Sequence, residues 1–205
     1  AWAEDEGYIE KNPVRAIKNI KQGQKEKEFL TEDEIVKMRE QCNTAREKAI
    51  FELLISTGCR VSEFTALNRN DIDFNKGTVR IYATKTRRYR IGYLTASAKL
   101  YLRNYLAIRT DENEALFVEG KGKHRRLGNS SVQHEIQKIA KRAAVTKHVT
   151  VHIFRKTLAT TLAKHGVDIV IIKELLGHAD ISVTVKNYAS IDQENIRIAH
   201  SKCVA

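Results

Sequence analysis

Apolar residues recur along most of the chain at the three- and four-residue spacing that buries one face of an α-helix. Thr31 and Glu34 have the spacing of a capping box, which predicts that a helix begins at Thr31. Gly58 follows a second amphipathic segment, 45–57, at the position of a C-terminal cap. The apolar stripe of that segment comprises Ala49, Ile50, Leu53 and Leu54. Further helices are predicted at about 62–67, 95–108, 129–144, 152–165, 168–176 and 192–203.

Between residues 71 and 94 the pattern changes to an alternation of polar and apolar positions, which is typical of β-strands. Residues 71–74 and 78–82 flank a turn at 75–77 and predict a hairpin, and residues 89–94 predict a third strand. We therefore expect a mainly α fold with a small three-stranded antiparallel β-sheet.

Composition narrows the range of partners. The net charge of +11 and the isoelectric point near 9.6 favour a polyanion, with nucleic acid first and an acidic membrane surface second. No apolar run reaches the about 20 residues that span a bilayer, and the N-terminus does not have the pattern of a signal peptide. Cys42, Cys59 and Cys203 are far apart and form no CxxC pair, so neither a disulfide framework nor a zinc site is indicated. A reducing cytoplasm is the expected compartment.

The segment 152–188 carries a group of side chains suited to a phosphate. His152 and Arg155 are three residues apart and would share one helix face. His178 and Tyr188 follow in the same segment. An arginine offers a fixed positive charge, imidazoles exchange protons, and a phenol can attack phosphorus. Each residue alone also has an ordinary structural explanation, such as a helix cap or a packed aromatic, so only the combination indicates a function.

The combination extends along the chain as an ordered series of motifs. The motifs are TGCRVSE at 57–63, Lys85 in YATKT, HIFR at 152–155, LLGH at 175–178, and Tyr188 ten residues further on. In this order the chain resembles the catalytic domain of the tyrosine recombinases, the phage-integrase and Xer-type family. Two departures are visible: Lys156 stands where the family often has histidine, and Gly92-Tyr93 interrupts the usual proline-containing end of the strand after the lysine loop.

The resemblance implies a site-specific recombinase or integrase that cuts and rejoins DNA through a 3′-phosphotyrosine. Arg60 and Arg155 would clamp the charge that builds on the phosphate, and His178 would donate a hydrogen bond to it. Tyr188 would be the nucleophile. Lys85 would protonate the leaving 5′ oxygen, although Arg87 and Arg88 compete with it for this role.

The remaining roles are also implied by the resemblance. His152 would accept a proton or bind the phosphate, and both roles stay open, whereas Glu63 would support Arg60. The covalent intermediate conserves bond energy, so neither ATP, metal nor another cofactor is expected. Asp71 and Asp73 belong to the predicted hairpin rather than to a two-metal site.

The expected partner is double-stranded DNA carrying a specific recombination site. Two basic loops, 85–90 and 121–126, would contact backbone phosphates. The predicted DNA-binding residues are Arg87, Arg88, Arg90, Lys121, Lys123, Arg125, Arg126 and Lys156. The resemblance implies a monomer in the free state and a tetramer on synapsed DNA, in the cytoplasm of a bacterium or of the host of a phage or mobile element, with no membrane association.

The same resemblance predicts the domain organisation. Residues 1–28 would be the tail of an N-terminal core-binding domain that is otherwise missing, followed by a charged linker. Residues 29–191 would form the catalytic domain. Residues 192–205 would form a C-terminal helix that docks either on its own domain or on a neighbouring protomer.

Two other functions remain open from the sequence. A type IB topoisomerase-like enzyme, which relaxes supercoils, uses nearly the same residues. A DNA-binding regulator with an inert site is the alternative outside the enzymes, and the complete residue set argues against it.

Overall fold

The computed structural model describes residues 2–11, 28–83, 87–120 and 122–177. The helices in these ranges are α1 (Trp2–Asp5), α2 (Glu32–Glu40), α3 (Ala45–Thr57), α4 (Val61–Ala66), α5 (Ala96–Ala107), α6 (Asn129–Arg142), α7 (Val151–Lys164) and α8 (Ile169–Leu176). The strands are β1 (Ile72–Asp73), β2 (Thr78–Ala83) and β3 (Arg88–Tyr93), and a 3₁₀ turn at Arg69–Asp71 precedes β1. The predicted fold class, mainly α with one small sheet, is confirmed.

Local sequence signals define the helix ends where they were predicted. The Thr31 hydroxyl accepts from the backbone N–H of Glu34 at 3.3 Å, and the Glu34 carboxylate accepts from the backbone N–H of Thr31 at 2.8 Å. Gly58 ends α3 in the left-handed conformation, with φ of 55°. Asp168 caps α8 by accepting from the N–H of Val170 at 2.6 Å. These contacts depend on short stretches of chain, which is why the sequence alone located them.

Helix α3 is the central element of the hydrophobic core. More of its surface is buried than the single apolar stripe predicted from the sequence. Phe51 and Glu52, which lie off that stripe, are also buried. The reason is that α3 is covered from several sides, by α5, by α7 and by β3 of the sheet. Phe51 meets the ring of Phe154 on α7 edge to face at 5.4 Å, and the buried Glu52 carboxylate pairs with Arg39 at 2.5 Å.

The sheet is antiparallel in the order β1-β2-β3, as the hairpin prediction required. Its inner face packs on the core through Val79 and Ile81, and Gly92 lies so close that a Cβ there would be 2.9 Å from Ile81 Cδ1. The register pairs Ile81 with Arg90, so Arg90 lies on this inner face. Tyr89 and Tyr93 are exposed on the outer face.

Helices α7 and α8 pack together so that the C-terminal end of α8 contacts the rest of the domain. Helix α8 packs on α7 through a small apolar cluster of Ala159, Ile172 and Leu176, and it also touches β3. Gly58 lies against this helix, because a Cβ at Gly58 would meet Leu176 Cδ2 at 3.1 Å. The ends of α3 and α8 therefore meet. None of the helices described is long and apolar enough to cross a membrane.

Candidate active site

Arg60 is fixed at the start of α4 by the chain around it. Gly58 turns the backbone after α3, and Arg60 then takes an extended conformation as the N-cap of α4. Its guanidinium donates to Glu63 Oε1 at 2.5 Å, and its backbone N–H donates to Glu63 Oε2 at 3.0 Å. The side chain keeps 31% of its surface exposed, so Arg60 is held at its base and still reaches solvent.

Arg155 is buried in the first half of α7, with only 1% of the residue exposed. One guanidinium nitrogen donates to the carbonyl of Gly58 at 3.0 Å, and the other donates to the carbonyl of Leu176. Burial lowers the pKa of Arg155 to about 10, with the charges of Arg60 and Arg90 adding to the effect. The guanidinium therefore remains charged at neutral pH.

Three arginines from three different elements converge on the C-terminus of α8. Arg90 donates a hydrogen bond to the carbonyl of Leu175 at 2.9 Å, and Arg155 donates to the carbonyl of Leu176. Arg60 donates to the carbonyl of Gly177 in a longer contact of 3.5 Å. The last carbonyls of a helix have no partner within the helix and carry partial negative charge, so cations stabilise them. The arrangement concentrates positive charge at the chain position that immediately precedes His178.

Glu63 is the anion inside this cluster. Only 1% of the residue is exposed, and its Oε2 also accepts from Arg90 at 2.9 Å. Burial by itself would raise the pKa of Glu63, but the charge of Arg90 and the hydrogen bonds from Arg60 and Arg90 outweigh it and lower the pKa. An ionised Glu63 thus holds two arginines at once.

His152 lies in the first turn of the same helix, three residues before Arg155, and is exposed. The protein atoms around its ring lower its pKa first of all by removing hydration, and the charges of Lys156, Arg155 and Arg60 lower it further. The imidazole is therefore neutral at pH 7. His152 and Lys156 line an open surface depression together with His148.

The structure divides the predicted DNA-binding residues into two groups. The exposed or half-exposed ones are Arg87, Arg88, Lys123, Arg125 and Lys156. Arg90 instead has a side chain that is 8% exposed and engaged with Glu63. Arg126 is half-exposed, with 36% of its side chain accessible, but it donates to the carbonyls of Thr65 and Leu67, both at 3.0 Å, and so ties its loop to the end of α4.

The prediction groups the basic residues at 85–90 into one DNA-binding loop, so it does not separate the inward-facing Arg90 from its exposed neighbours. A signal was present in the sequence. Positions 88, 90 and 92 share a side of a strand, and Gly92 is suited to a close approach to the core. Lys85, Lys121, His178 and Tyr188 lie outside the described residues, as do the segment 12–27 and the predicted C-terminal helix.

No cluster of three or more His, Cys, Asp and Glu side chains able to hold a metal ion occurs in the part of the chain that the structure describes. The polar groups that converge are instead the cations of Arg60, Arg90 and Arg155, with one carboxylate among them. The net positive charge of this set is suited to an anionic ligand such as a phosphodiester.

Comparison with known proteins agrees with this chemistry. The phage integrase family matches residues 28–195, and the chain belongs to this family. It is similar to tyrosine recombinase XerC of Thermodesulfovibrio yellowstonii, with 33% identity over 96% of this chain and 69% of the relative. These matches confirm the predicted family and enzyme class, the catalytic domain of a tyrosine recombinase.

Solved structures show the same fold. The crystal structure of XerA recombinase superposes with a TM-score of 0.75 and 28% identity, covering 86% of this chain and 65% of that one. XerH site-specific recombinase bound to its difH substrate, in a pre-cleavage complex, gives a TM-score of 0.70 at 23% identity, over 84% of this chain and 53% of that one. The chain thus spans only about half to two thirds of the length of these neighbours.

Proposed function

We propose that this chain is the catalytic part of a site-specific recombinase that cuts and rejoins double-stranded DNA through a covalent 3′-phosphotyrosine at Tyr188. The observation that carries the proposal is the convergence of Arg60 and Arg155, from distant parts of the chain, on the end of α8. Two fixed guanidinium groups can neutralise the charge that develops on the non-bridging oxygens of a phosphodiester.

In the proposed cleavage step, the phenol oxygen of Tyr188 forms a bond to phosphorus while the bond from phosphorus to the 5′ oxygen breaks. Lys85 supplies a proton to the leaving oxygen, and His178 donates a hydrogen bond to the phosphate. Attack by the 5′-hydroxyl of another strand reverses the step and rejoins DNA. One phosphoester bond replaces another each time, so the reaction needs no ATP.

The electrostatics of the described residues support two of the roles. Arg155 keeps its charge at neutral pH because its pKa stays near 10. His152 is neutral at pH 7 because its pKa is lowered by lost hydration and nearby cations. A neutral imidazole can take up the phenol proton, so we assign His152 the role of proton acceptor rather than that of a charged phosphate ligand.

Duplex DNA is the proposed partner. The net charge of +11 and the exposed cations Arg87, Arg88, Lys123 and Arg125 suit its backbone. XerH, which shares this fold, is bound to its DNA substrate in the solved complex. We further propose a tetramer on synapsed DNA, a catalytic domain at 29–191 with a C-terminal segment that docks in cis or in trans, and action in the cytoplasm of a bacterium or mobile-element host.

Covalent capture from randomised DNA tests the proposal and identifies the target sequence in the same experiment. The chain is incubated with nicked duplexes whose arms carry randomised sequence, so that a short fragment is lost after cleavage and the adduct is trapped. Adducts that resist denaturing detergent are isolated and their DNA is sequenced. We expect one enriched sequence with wild-type protein and none with Tyr188→Phe, which keeps the ring and removes the nucleophile. Equal capture by both proteins would contradict the role of Tyr188.

Product analysis then separates the recombinase from the alternatives. A recombinase exchanges strands between two duplexes that carry the captured sequence, whereas a topoisomerase-like enzyme relaxes supercoiled plasmid regardless of sequence. Sequence-specific binding without any adduct would favour the inert regulator.

A further inference from the structure

We propose that Arg90 is a positioning residue of the active site, which holds Glu63, and through it Arg60, against the end of α8, and that it does not contact DNA. The proposal deepens the recombinase function proposed above and rests on it. It replaces the prediction that Arg90 binds a backbone phosphate.

The direction of the side chain follows from the strand. Arg88 and Arg90 lie on the same side of β3, and exposure on this side decreases from Arg88 at the start of the strand through Arg90 to the buried Gly92. Arg90 pairs with the buried Ile81 of β2, and its side chain is 8% exposed, whereas Arg88 is exposed. Arg90 combines a side chain that is 8% exposed with an ion pair to the buried carboxylate of Glu63, so its charge is already balanced inside the protein, which argues against a phosphate contact.

The contacts of Arg90 join three elements. One terminal nitrogen donates to Glu63 Oε2 of α4 at 2.9 Å, and the other donates to the carbonyl of Leu175 at the end of α8, also at 2.9 Å. The same Glu63 oxygen accepts from the backbone N–H of Arg60 at 3.0 Å, while Oε1 accepts from the Arg60 guanidinium at 2.5 Å. Arg90 therefore fixes the carboxylate that fixes Arg60.

The stem of Arg90 contributes as well as its charged end. A Cβ added at Gly177 would lie 2.8 Å from Arg90 Cδ, so the backbone at the end of α8 rests directly on the arginine stem. Loss of this side chain would leave Glu63 with a single arginine partner and Leu175 without its donor. Arg60 could then rotate with the carboxylate, away from the position in which it meets the phosphate.

An arginine suits this position better than a lysine. The planar guanidinium presents donors in a fixed fork, so that it can bond to a carboxylate on one side and a carbonyl on the other. A lysine ammonium is a single point charge on a flexible stem and is not preorganised to bridge both acceptors. Arg90→Lys therefore keeps the charge but is expected to lose the bridge.

The first experiment measures DNA binding and cleavage separately on the nicked duplex recovered by covalent capture. The variants are Arg90→Met, Arg90→Lys and the matched control Arg88→Met on the same strand. For Arg90→Met we expect the single-turnover cleavage rate at saturating DNA to fall about 100-fold, as for a misplaced catalytic group, with the salt dependence of binding unchanged. For Arg88→Met, which removes a proposed phosphate contact, we expect a smaller salt slope, by about one.

The variant Arg90→Lys shows whether Arg90 acts only through its positive charge or by bridging Glu63 and the carbonyl of Leu175. If Arg90 acts by positioning, lysine restores little of the cleavage rate. Two results would overturn the proposal. One is a wild-type cleavage rate for Arg90→Lys. The other is a wild-type cleavage rate at saturating DNA for Arg90→Met together with a salt slope of DNA binding that is reduced by about one. Should Arg90→Met fail to fold, the lysine variant carries the same comparison because it keeps the charge and most of the stem.

A second measurement does not depend on catalysis. Amide hydrogen exchange in the free chain reports local opening of the last turn of α8. We expect exchange there to become about tenfold faster in Arg90→Met, as for the loss of one hydrogen bond, and to stay unchanged in Arg88→Met. Unchanged exchange in both variants would contradict the contact with Leu175. If the wild-type chain forms no adduct at all, the recombinase function fails, while the exchange data still decide whether Arg90 holds α8.

Discussion

Replacement of Glu63 by glutamine removes the negative charge that lies among three arginines in the described part of the chain, while keeping the shape of the side chain. Glu63 is 1% exposed and accepts from the guanidinium groups of both Arg60 and Arg90. Breaking a buried ion pair by removing one partner costs about 3–5 kcal/mol, because the remaining charge is left uncompensated. Arg60 is 31% exposed and is partly screened by water, so we expect the lower end, about 3 kcal/mol.

Thermal unfolding measures the effect directly. For a chain of this size, about 3 kcal/mol corresponds to a fall in Tm of about 6–12 °C. The matched control is Glu114→Gln, because Glu114 also pairs with an arginine, Arg126, at 3.5 Å but has a side chain that is 78% exposed. Such an exposed pair contributes at most about 1 kcal/mol, so the control should shift Tm by no more than about 4 °C.

The pH dependence of the difference in unfolding free energy between wild type and Glu63→Gln gives a sharper test. The pKa of Glu63 is lowered in the folded chain from an ordinary value of 4.5. Its ionised form therefore stabilises the fold above about pH 4.5, and this contribution is lost as the pH falls through the lower, folded-state pKa. The gap in unfolding free energy between wild type and Glu63→Gln should be largest near neutral pH and shrink in acid. A gap that is no larger than that of Glu114→Gln, or that grows on acidification, would refute the reasoning.

Two further predictions concern the same region. Gly177→Ala forces a side chain into a backbone with φ of 64° and to within 2.8 Å of Arg90 Cδ. The left-handed backbone alone should cost about 1–2 kcal/mol of unfolding free energy, and the contact with Arg90 should add to this loss, as measured by urea unfolding. The control is Gly122→Ala, where φ is also positive but no atom lies within 4 Å, and equal losses in the two variants would show that the contact with Arg90 does not matter. Because the pKa of His152 is lowered from 6.5, the single-turnover cleavage rate should fall in acid with a midpoint below pH 6.5. This decline should be absent from the residual activity of His152→Gln. A midpoint above pH 6.5 would contradict a neutral proton acceptor.

Much of the secondary structure could be read from the sequence because its signals are local. The capping box at Thr31, the left-handed Gly58 and the hairpin turn each involve residues a few positions apart. The periods of apolar residues likewise reveal which element forms before any tertiary contact is considered. The ordered series of motifs went further and indicated the family, which the family match at 28–195 confirms.

Burial and the pairing of residues from distant parts of the chain were harder to predict from the sequence. The sequence showed one apolar stripe on α3, yet the helix is covered from several sides, and the neighbours responsible are distant in the chain. In the same way, the basic residues between 87 and 90 are indistinguishable by composition, although Arg88 is exposed and Arg90 is buried on Glu63. Composition reports charge, whereas accessibility depends on what packs over a residue.

The sequence by itself determined the helices and strands, their caps, the basic character of the chain and the order of the motifs that places Arg60 and Arg155 in one family pattern. Only the tertiary structure decided that these two arginines and Arg90 meet at the carbonyl end of α8, with Glu63 between them. The physical reason is that a capped helix needs only its neighbours in the chain. A cluster of like charges, most of them withdrawn from water, is stable only where the fold brings carbonyl and carboxylate oxygens from separate elements to meet them.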